Sequence, residues 1–529
     1  MPRLTIDNQE VEVPDGATIL DAARKLGIEI PTLCFREGIE PNTSCMVCVV
    51  KVHGLAALQP ACAAPAADGM RVDSDTDEVR DARRTALELL LSDHLGDCDA
   101  PCHTTCPARM NIPRMIRQIA AGDLSGAIAT VKRDIALPAV LGRICHAPCE
   151  KACRRGAHDA PLAICLLKRY VADADLASGD PYVPQCEAET NRRVAVVGAG
   201  PAGLAAAYHL RQRGHGCTLF DQRELPGGML RYGLTANRLP REVLDAEIEI
   251  VRRLGAEFRM ETRVGTDVSL DDLHSQYDAV IFAVGEVGAD ADRCGLPASA
   301  KGVQADPQTG ATGVAGVFAA GDAVRAARLA VRAVQDGKVA AASVHQYLSG
   351  AAVTGLRRPF SVHVGRVHEG EMQKFLREGS GGPRVTPSGR EGGLTDDEAR
   401  TESLRCLHCD CRKRTCCALR DCADVHAARP GRFKSQRRTF EQYAQHADVL
   451  YEPGKCIDCG LCVKITEQAG ERRGLTFLGR GFDVRVAPPL GAPLSEALTR
   501  AAAECVAACP TGALARKDNA RNSPSTEDP

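Results

Sequence analysis

Cysteine is the residue type that offers the most chemistry in this chain of 529 residues. The chain has 25 cysteines, and 21 of them fall into short groups. The groups lie within residues 34–62, 98–106, 145–153, 406–422, 456–462 and 505–509, and the isolated cysteines are at positions 165, 186, 217 and 294. Thiols spaced this closely serve as disulfide partners or as metal ligands. An odd number of cysteines suits a disulfide scaffold poorly, so the pattern favours metal and, in most groups, iron–sulfur clusters.

The first group places two thiols in one tight loop and two in flanking segments. It consists of Cys34, Cys45, Cys48 and Cys62. Four thiolates around one site are what a [2Fe–2S] centre needs, and a structural zinc ion is the alternative. The preceding LTI and VEV alternate like a hairpin, and GATILDAARKLG predicts an amphipathic helix. Residues 1–80 resemble the plant-type ferredoxin domain of complex I large subunits and iron hydrogenases, which implies a β-grasp fold.

Residues 81–185 predict a mostly helical domain, because apolar residues recur at intervals of three and four. The segment resembles the helical domain of the glutamate synthase small subunit and of dihydropyrimidine dehydrogenase, which holds two [4Fe–4S] clusters with ligands exchanged between two cysteine runs. The resemblance assigns to one cluster Cys98, Cys102 and Cys153. It assigns to the other cluster Cys106, Cys145 and Cys149.

Each of these two sets lacks one ligand. His94 stands where the family usually has a further cysteine, and it is similar to the histidine of a complex I cluster; a surface histidine is the alternative. For the second cluster the family often uses Glu or Gln on the following helix, where this chain has Lys168. A protonated lysine is a poor ligand, and Cys165 lies one helical turn before it. The fourth ligand of the second cluster therefore stays open.

A dinucleotide site follows. The buried strand VAVVG runs into Gly198, Gly200 and Gly203 at GxGxxG spacing and then into an alanine-rich helix. These glycines allow the turn, the approach of a pyrophosphate and the packing of helix on strand. Asp221 closes the next strand, where an acid accepts from a ribose hydroxyl.

Two further runs resemble the second and third signatures of two-dinucleotide flavoproteins: DAVIFAVG (278–285) and GVFAAGD (316–322). This resemblance implies FAD, with Gly321 and Asp322 beside its ribityl–phosphate part. LPGGMLRYGLTANRLP (225–240), with Gly228, resembles a loop that lines the flavin in the glutamate synthase small subunit. Those relatives insert an NADPH-binding domain between the last two signatures. Here only residues 286–315 separate them, and a small domain needs roughly 100 residues, so we expect this chain to lack it.

The remaining third of the chain carries a linker and two more cysteine groups. Residues 351–400 are rich in Gly, Pro and Arg and predict a linker. In residues 401–450, a further cluster could use Cys406, Cys409, Cys411 and either Cys416 or Cys417; zinc and a cysteine patch that binds no metal are the alternatives. In residues 451–516, the bacterial ferredoxin signature predicts a [4Fe–4S] cluster held by Cys456, Cys459, Cys462 and Cys509, with Cys505 spare and a zinc site as the alternative. Residues 517–529 predict a disordered tail.

Composition excludes several classes of function. Lys and Arg total 66 against 68 for Asp and Glu, and only 19 residues are Phe or Tyr, so we expect no nucleic-acid partner. The N-terminal sequence shows no apolar export signal, and no run of 18 apolar residues predicts a membrane span. We therefore expect a cytoplasmic location with reduced thiols.

Together these patterns predict a multidomain α/β and α+β protein. Its expected order is a β-grasp [2Fe–2S] domain, a helical domain with two [4Fe–4S] clusters, a Rossmann-like FAD domain at 190–350, and a C-terminal ferredoxin-like domain. With three or four [4Fe–4S] clusters, one [2Fe–2S] cluster and FAD, the predicted function is electron transfer with a partner dehydrogenase, hydrogenase or reductase. The alternatives are a self-sufficient NAD(P)H-dependent oxidoreductase and a redox sensor or scaffold whose clusters are structural.

Overall fold

The structure is a computed structural model that describes residues 1–286, 296–299, 302–433 and 436–517. Cys294 and the expected tail from residue 518 onward lie outside the described residues. The strands are β1 (Arg3–Ile6), β2 (Gln9–Glu12), β3 (Val49–Val52), β4 (Gln59–Pro60), β5 (Arg71–Asp73), β6 (Arg193–Val197), β7 (Gly216–Phe220), β8 (Glu257–Arg259), β9 (Ala279–Phe282), β10 (Ala298–Ser299), β11 (Gly302–Val303), β12 (Val317–Ala319), β13 (Val449–Tyr451), β14 (Thr476–Leu478), β15 (Arg485–Ala487) and β16 (Leu514–Arg516).

The α-helices complete the secondary structure of the described residues. They are α1 (Ile19–Lys25), α2 (Asp77–Ser92), α3 (Pro101–Thr105), α4 (Ile112–Ala120), α5 (Leu124–Lys132), α6 (Pro138–Ile144), α7 (Pro148–Lys151), α8 (Ile164–Ala177), α9 (Pro201–Gln212), α10 (Met229–Tyr232), α11 (Arg241–Arg253), α12 (Leu270–Gln276), α13 (Ala330–Leu348), α14 (Glu369–Leu376), α15 (Asp396–Ser403), α16 (Ala418–Val425), α17 (Leu461–Gln468), α18 (Leu494–Ala497) and α19 (Ala502–Ala508). None of these helices has both the length and the apolar character that a membrane crossing requires.

The chain divides into two compact units whose segments alternate along the sequence. The frame unit comprises Met1–Asp99, Pro359–Arg377 and the chain from Cys409 onward. The insert unit comprises Ala100–Arg358 and Glu378–His408. The sequence predicted consecutive domains instead, with one boundary near residue 80 and another near residue 185. The structure places the division between Asp99 and Ala100, inside the predicted helical domain, and returns to the frame unit twice.

The frame unit begins with the expected β-grasp sheet, whose strand order is β2-β1-β5-β3-β4. Strands β1 and β2 pair antiparallel through Asp7 and Asn8, which both have positive φ, as a tight two-residue hairpin turn requires. Strand β5 then adds parallel to β1. Helix α1 starts at a capping box in which the Thr18 hydroxyl accepts from the Asp21 N–H and the Asp21 carboxylate accepts from the Thr18 N–H.

A second core of the frame unit joins residues from all three of its segments. It contains Leu87 and Leu91 of α2, Val362, and residues of α16, α17, β13, β15 and β16, together with several cysteines. Val362 lies in the predicted linker, which in the structure carries helices α14 and α15. The apolar side chains that pack there are Val362, Val364, Met372, Phe375 and Leu394. Residues 359–394 are therefore built into the packing of the two units.

The insert unit combines a helical part with a five-stranded parallel sheet. The helices α4 to α8 pack around buried side chains such as Ile116, Leu141 and Leu167. The sheet has the strand order β12-β9-β6-β7-β8, with every pairing parallel. Because β7 and β9 lie on opposite sides of β6, the carboxyl end of β6 is the point where strand order reverses. That is where doubly wound sheets of this type bind ligands.

Candidate functional site

The N-terminal cysteine group forms a compact set of buried thiols in the frame unit. The Sγ atoms of Cys34 and Cys45 are 3.3 Å apart, and those of Cys48 and Cys62 are 3.4 Å apart. All four side chains are at most 3% exposed. Hydrogen bonds from Cys45 and Cys62 lower the pKa of Cys34, while the same contact with Cys34 raises the pKa of Cys45. Two sulfur pairs side by side match the ligand requirement of a [2Fe–2S] centre, in which each iron takes two thiolates.

The C-terminal group lines one small cavity in the frame unit. Its cysteines are Cys456, Cys459, Cys462 and Cys509. Apolar side chains, among them Tyr451, Leu461 and Val486, form the rest of the wall. Burial raises the pKa of Cys459 to about 12 and that of Cys456 well above its usual range, so these thiols need a cation to hold them as thiolates. Cys505 is fully buried outside this lining, and its Sγ lies 3.8 Å from the carbonyl oxygen of Cys462.

These two cysteine groups are neighbours. The Asn42 side chain donates to the carbonyl oxygen of Cys459 over 2.9 Å. The thiol of Cys34 lies close enough to that of Cys459 to raise its pKa by charge repulsion. Cys34, Cys45 and Cys459 also belong to one apolar core of the frame unit.

In the insert unit, the thiols of Cys106, Cys145 and Cys149 surround a buried lysine. Lys168 on α8 is 5% exposed. Burial lowers its pKa, but the surrounding thiols outweigh burial and raise it. Cys165, at the start of α8, hydrogen-bonds to Cys145, and this bond raises the pKa of Cys165. The structure thus brings both open candidates for the fourth ligand, Cys165 and Lys168, to the three expected cysteines.

A second cysteine set in the insert unit joins residues far apart in sequence. Cys406 is buried in the same core against which Cys102 and Cys153 pack. The Arg155 guanidinium donates to the carbonyl oxygen of Arg405 over 2.6 Å, which holds the chain before Cys406 against the turn after Cys153. Sequence reasoning missed this association, since Cys406 was grouped with the cysteines that follow it.

The other members of those two predicted sets lie in the frame unit. They are His94, Cys98, Cys409, Cys411 and Cys417. The backbone N–H of Cys411 donates to the carbonyl oxygen of Cys98 over 3.3 Å. Cys98 and Cys417 are both buried, whereas Cys416 is exposed. The structure therefore favours Cys417 over Cys416 as a ligand.

The dinucleotide motif forms a cradle of close backbone contacts at the end of β6. Gly198 has φ +106°, and a Cβ on Gly203 would lie 1.8 Å from the Gly198 carbonyl oxygen. Gly200 is the N-cap of α9 and supplies no side-chain hydrogen bond, so the first N–H groups of this helix point at the loop unpaired by a cap. Such a helix start binds phosphate.

The predicted partners of this cradle lie around it. Gly228 lies against Gly200, because a Cβ on Gly228 would be 2.7 Å from the Gly200 Cα. Gly321 approaches the start of α9 in the same way, with its Cβ position 2.9 Å from the Ala202 Cβ. The Asp221 carboxylate accepts from the Ala199 N–H over 2.7 Å, and that of Asp322 accepts from the Ala327 N–H over 2.9 Å. Both carboxylates therefore stabilise their loops, and each keeps lone pairs that can accept a hydrogen bond from a ligand hydroxyl.

The geometry distinguishes clusters from a single ion. Among the residues that the structure describes, no group of three or more His, Cys, Asp or Glu side chains is arranged to hold one metal ion. A zinc ion needs four ligands about 2–2.3 Å from one point. The two sulfur pairs of the N-terminal group instead offer two thiolates to each of two irons.

Comparison with known proteins decides what these parts are. Residues 2–77 match the family described as a 2Fe-2S iron–sulfur cluster binding domain. Residues 84–180 match dihydropyrimidine dehydrogenase domain II with its 4Fe-4S cluster, and residues 196–255 match an NAD(P)-binding Rossmann-like domain. The chain combines three known domain families. These matches confirm the predicted N-terminal [2Fe–2S] domain, the predicted [4Fe–4S] helical domain, the predicted dinucleotide-binding domain and the predicted fold class.

Three relatives are similar to part of this chain. The NADP(+)-dependent formate dehydrogenase subunit beta of Moorella thermoacetica is 42% identical over 35% of this chain and 29% of its own length. The NADPH-Fe(3+) oxidoreductase subunit beta of Geobacter sulfurreducens is 38% identical over 35% and 28%. The NAD-dependent dihydropyrimidine dehydrogenase subunit PreT of Salmonella typhimurium is 36% identical over 35% and 46%. The chain therefore spans less than half the length of these relatives.

Proposed function

We propose that this chain is a cytoplasmic iron–sulfur flavoprotein that relays electrons between FAD, its clusters and a partner protein. The observation that carries the proposal is the apolar core of the frame unit, which contains buried cysteines from five of the six sequence groups: Cys34, Cys45, Cys98, Cys417, Cys459 and Cys505. Short distances through packed protein are what transfer between clusters requires. A chain whose clusters only stabilised its fold would need neither cluster ligands in a shared core nor a dinucleotide-binding site.

The choice of FAD rests on the cradle and on the third flavoprotein signature. Asp322 is held on the turn after β12, which pairs with β9, the neighbour of β6. Gly198, Gly203 and the N-terminus of α9 would hold the pyrophosphate, and Asp221 the ribose. FAD, when bound, exchanges electrons in pairs or singly and so joins hydride donors to clusters. The chain's own residues bind and orient it.

The insert unit would hold two [4Fe–4S] clusters with ligand sets revised by the geometry. We assign Cys106, Cys145, Cys149 and Cys165 to one, because Cys165 already contacts Cys145. Lys168 beside them compensates the negative charge of the thiolates. We assign Cys102, Cys153 and Cys406 to the other, because Cys406 shares the core against which the first two pack.

The partner is a catalytic subunit that supplies or takes up electrons. The three relatives are each named as a subunit, of a formate dehydrogenase, an Fe(3+) oxidoreductase and a dihydropyrimidine dehydrogenase. We propose a dehydrogenase, hydrogenase or reductase as the partner of this chain for the same reason.

A second candidate is an oxidoreductase that takes its electrons directly from NAD(P)H. The names of all three relatives contain NAD, NADP or NADPH, and residues 196–255 match an NAD(P)-binding Rossmann-like domain. Against it stands the short connection between β9 and β12, which has fewer residues than a second nucleotide domain needs.

Cofactor analysis of the full chain, purified without oxygen, tests the proposal. We expect one flavin, several irons and an equal amount of acid-labile sulfide per chain, and dithionite should reduce both flavin and clusters. Cys459→Ala should remove about four irons. The matched variant Cys505→Ala, also a buried cysteine, should remove none because Cys505 lies outside the cavity lining. Zinc without sulfide, or clusters without flavin, would contradict the proposal.

A further inference from the structure

Two buried cysteines, Cys98 and Cys417, and the half-buried Cys411 converge in the frame unit, although 312 residues separate Cys98 from Cys411. The N–H of Cys411 bonds to the carbonyl oxygen of Cys98, which places the two backbones side by side. Cys98 and Cys417 also belong to one apolar core of the frame unit, and the Asp99 carboxylate next to Cys98 bonds to Arg420, three residues after Cys417, over 3.0 Å. Cys98 and Cys417 are 8% and 7% exposed. Three thiols so close, shielded from water, form the greater part of a metal-binding site.

His94 supplies the missing fourth ligand. Its Nδ1 atom is buried and makes no hydrogen bond within the described part of the chain. A buried ring nitrogen without a partner is costly unless something else occupies it. The N–H of Leu95, next to His94, donates to the carbonyl oxygen of Gly454 over 2.6 Å, which places His94 beside the segment that carries Lys455.

Close packing around Lys455 fixes this neighbourhood. A Cβ on Gly96 would lie 2.7 Å from the Lys455 Cε, and one on Gly512 would lie 2.3 Å from the Cys411 Sγ. Lys455 is 4% exposed and pairs with Glu452. Neither glycine position leaves room for a side chain, so the segments that carry His94, Cys411 and Lys455 are held in contact.

We propose that His94, Cys98, Cys411 and Cys417 together bind one [4Fe–4S] cluster, whose ligands come from both sides of the inserted unit. The proposal rests on the proposed function for the identity of the metal centre, and it adds which residues form it. It replaces the two ligand sets expected from sequence, in which Cys98 served with Cys102 and Cys153, and Cys411 with Cys406.

A buried ion pair holds the two halves of the site together. The Asp99 carboxylate, next to Cys98, bonds to Arg414 over 2.6 Å and to Arg420 over 3.0 Å. These two arginines flank Cys417 in sequence. Asp99 is 2% exposed. The chain therefore leaves the frame unit directly after the ligand Cys98 and its neighbour Asp99. When it returns to the frame unit, it supplies both arginines and the ligands Cys411 and Cys417.

The site also lies beside the C-terminal cysteine cavity. The Cys417 thiol contacts the carbonyl oxygen of Pro510, and the Lys413 ammonium donates to that of Cys509 over 2.7 Å. Because Asn42, which lies between Cys34 and Cys45 in the sequence, donates to the carbonyl oxygen of Cys459, the C-terminal cluster lies between the [2Fe–2S] centre and the new site. The inference predicts this order of three centres within the frame unit.

Iron counting in paired variants tests the shared site, with the full chain purified anaerobically. Cys98→Ala and Cys411→Ala should each remove about four irons, and the double variant should remove about four as well, because both ligands serve one cluster. Cys98→Ala combined with Cys153→Ala should remove about eight, because these ligands serve two clusters. Cys416→Ala is the matched control and should remove none. Flavin content and the [2Fe–2S] EPR signal report whether each variant is folded.

A milder variant covers the case in which the alanine variants do not fold. His94→Cys keeps four ligands, so the iron content should stay the same. The midpoint potential of one cluster should fall, because histidine ligation raises cluster potentials relative to cysteine. Additive iron loss in Cys98→Ala/Cys411→Ala, or unchanged potentials in His94→Cys, would overturn this inference while leaving the relay intact. A wild-type chain without iron would overturn the proposed function instead.

Discussion

Replacing Asp99 with asparagine should loosen the segments that carry the ligands on both sides of the insertion. The change leaves the guanidinium groups of Arg414 and Arg420 without their shared carboxylate. Breaking a buried ion pair by removing one partner costs about 3–5 kcal/mol. Arg414 is 18% exposed, and Arg420 keeps two carbonyl acceptors, at Phe360 and Arg414. The expected cost is therefore at the lower end, about 3 kcal/mol.

Hydrogen exchange measures this loss of stability in the segments around Asp99. If Asp99→Asn destabilises the surrounding segments by about 3 kcal/mol, the equilibrium constant for their local opening should rise roughly a hundredfold. Peptides covering residues 93–99 and 409–422 should lose protection by about that factor, and iron should leave the anaerobic protein faster. Asp75→Asn is the control, because Asp75 makes a similar two-oxygen contact with Arg80 but is 57% exposed. Equal loss of protection in the two variants would refute the reasoning.

Three further predictions concern other parts of the chain. Gly337→Ala should lower the thermal midpoint and the flavin content, because the new Cβ would lie 2.1 Å from the Ala202 carbonyl oxygen where α9 packs on α13. Such an overlap costs about 1–3 kcal/mol. As a control, Gly370→Ala, in a helix with open space around it, should raise the midpoint slightly. Cys34→Ser should remove about two irons and the [2Fe–2S] EPR signal, whereas Cys186→Ser, at an exposed and isolated cysteine, should change neither. Burial raises the pKa of Glu371, but Arg437 and two backbone N–H groups outweigh burial and hold this pKa at about 2. The free energy of unfolding should therefore fall by at most about 3 kcal/mol as pH falls from about 4.5 towards 2. Glu371→Gln should flatten this part of the curve of unfolding free energy against pH.

Local motifs made much of the fold predictable. The Cys456–Cys462 run and the glycines at 198, 200 and 203 specify their loops within a few residues, so spacing alone identifies the chemistry. The hairpin at Asp7 and Asn8 and the helix at Ile19–Lys25 follow from turn residues and a capping box. In each case the side chains that decide the structure lie close together in the sequence.

Ligand grouping was not predictable in the same way. Cys98 and Cys102 are four residues apart, yet the chain passes from one unit to the other between them. Cys406 and Cys411 are divided in the same manner. Closing a long loop costs little more than closing a moderate one, so sequence distance says little about which cysteines meet. Residues 351–400 failed as a linker for a related reason: Gly, Pro and Arg dominate their composition, but scattered apolar residues such as Val362 and Phe375 supply the packing.

The most direct test of the relay is to mix the anaerobic chain, without partners, with NADH or NADPH and to follow the flavin absorbance in a stopped-flow instrument. The account predicts no rapid bleaching with either nucleotide, while dithionite reduces both flavin and clusters in the same preparation. Rapid bleaching by NADH or NADPH would contradict it and would make the chain an oxidoreductase that accepts hydride directly from the nucleotide.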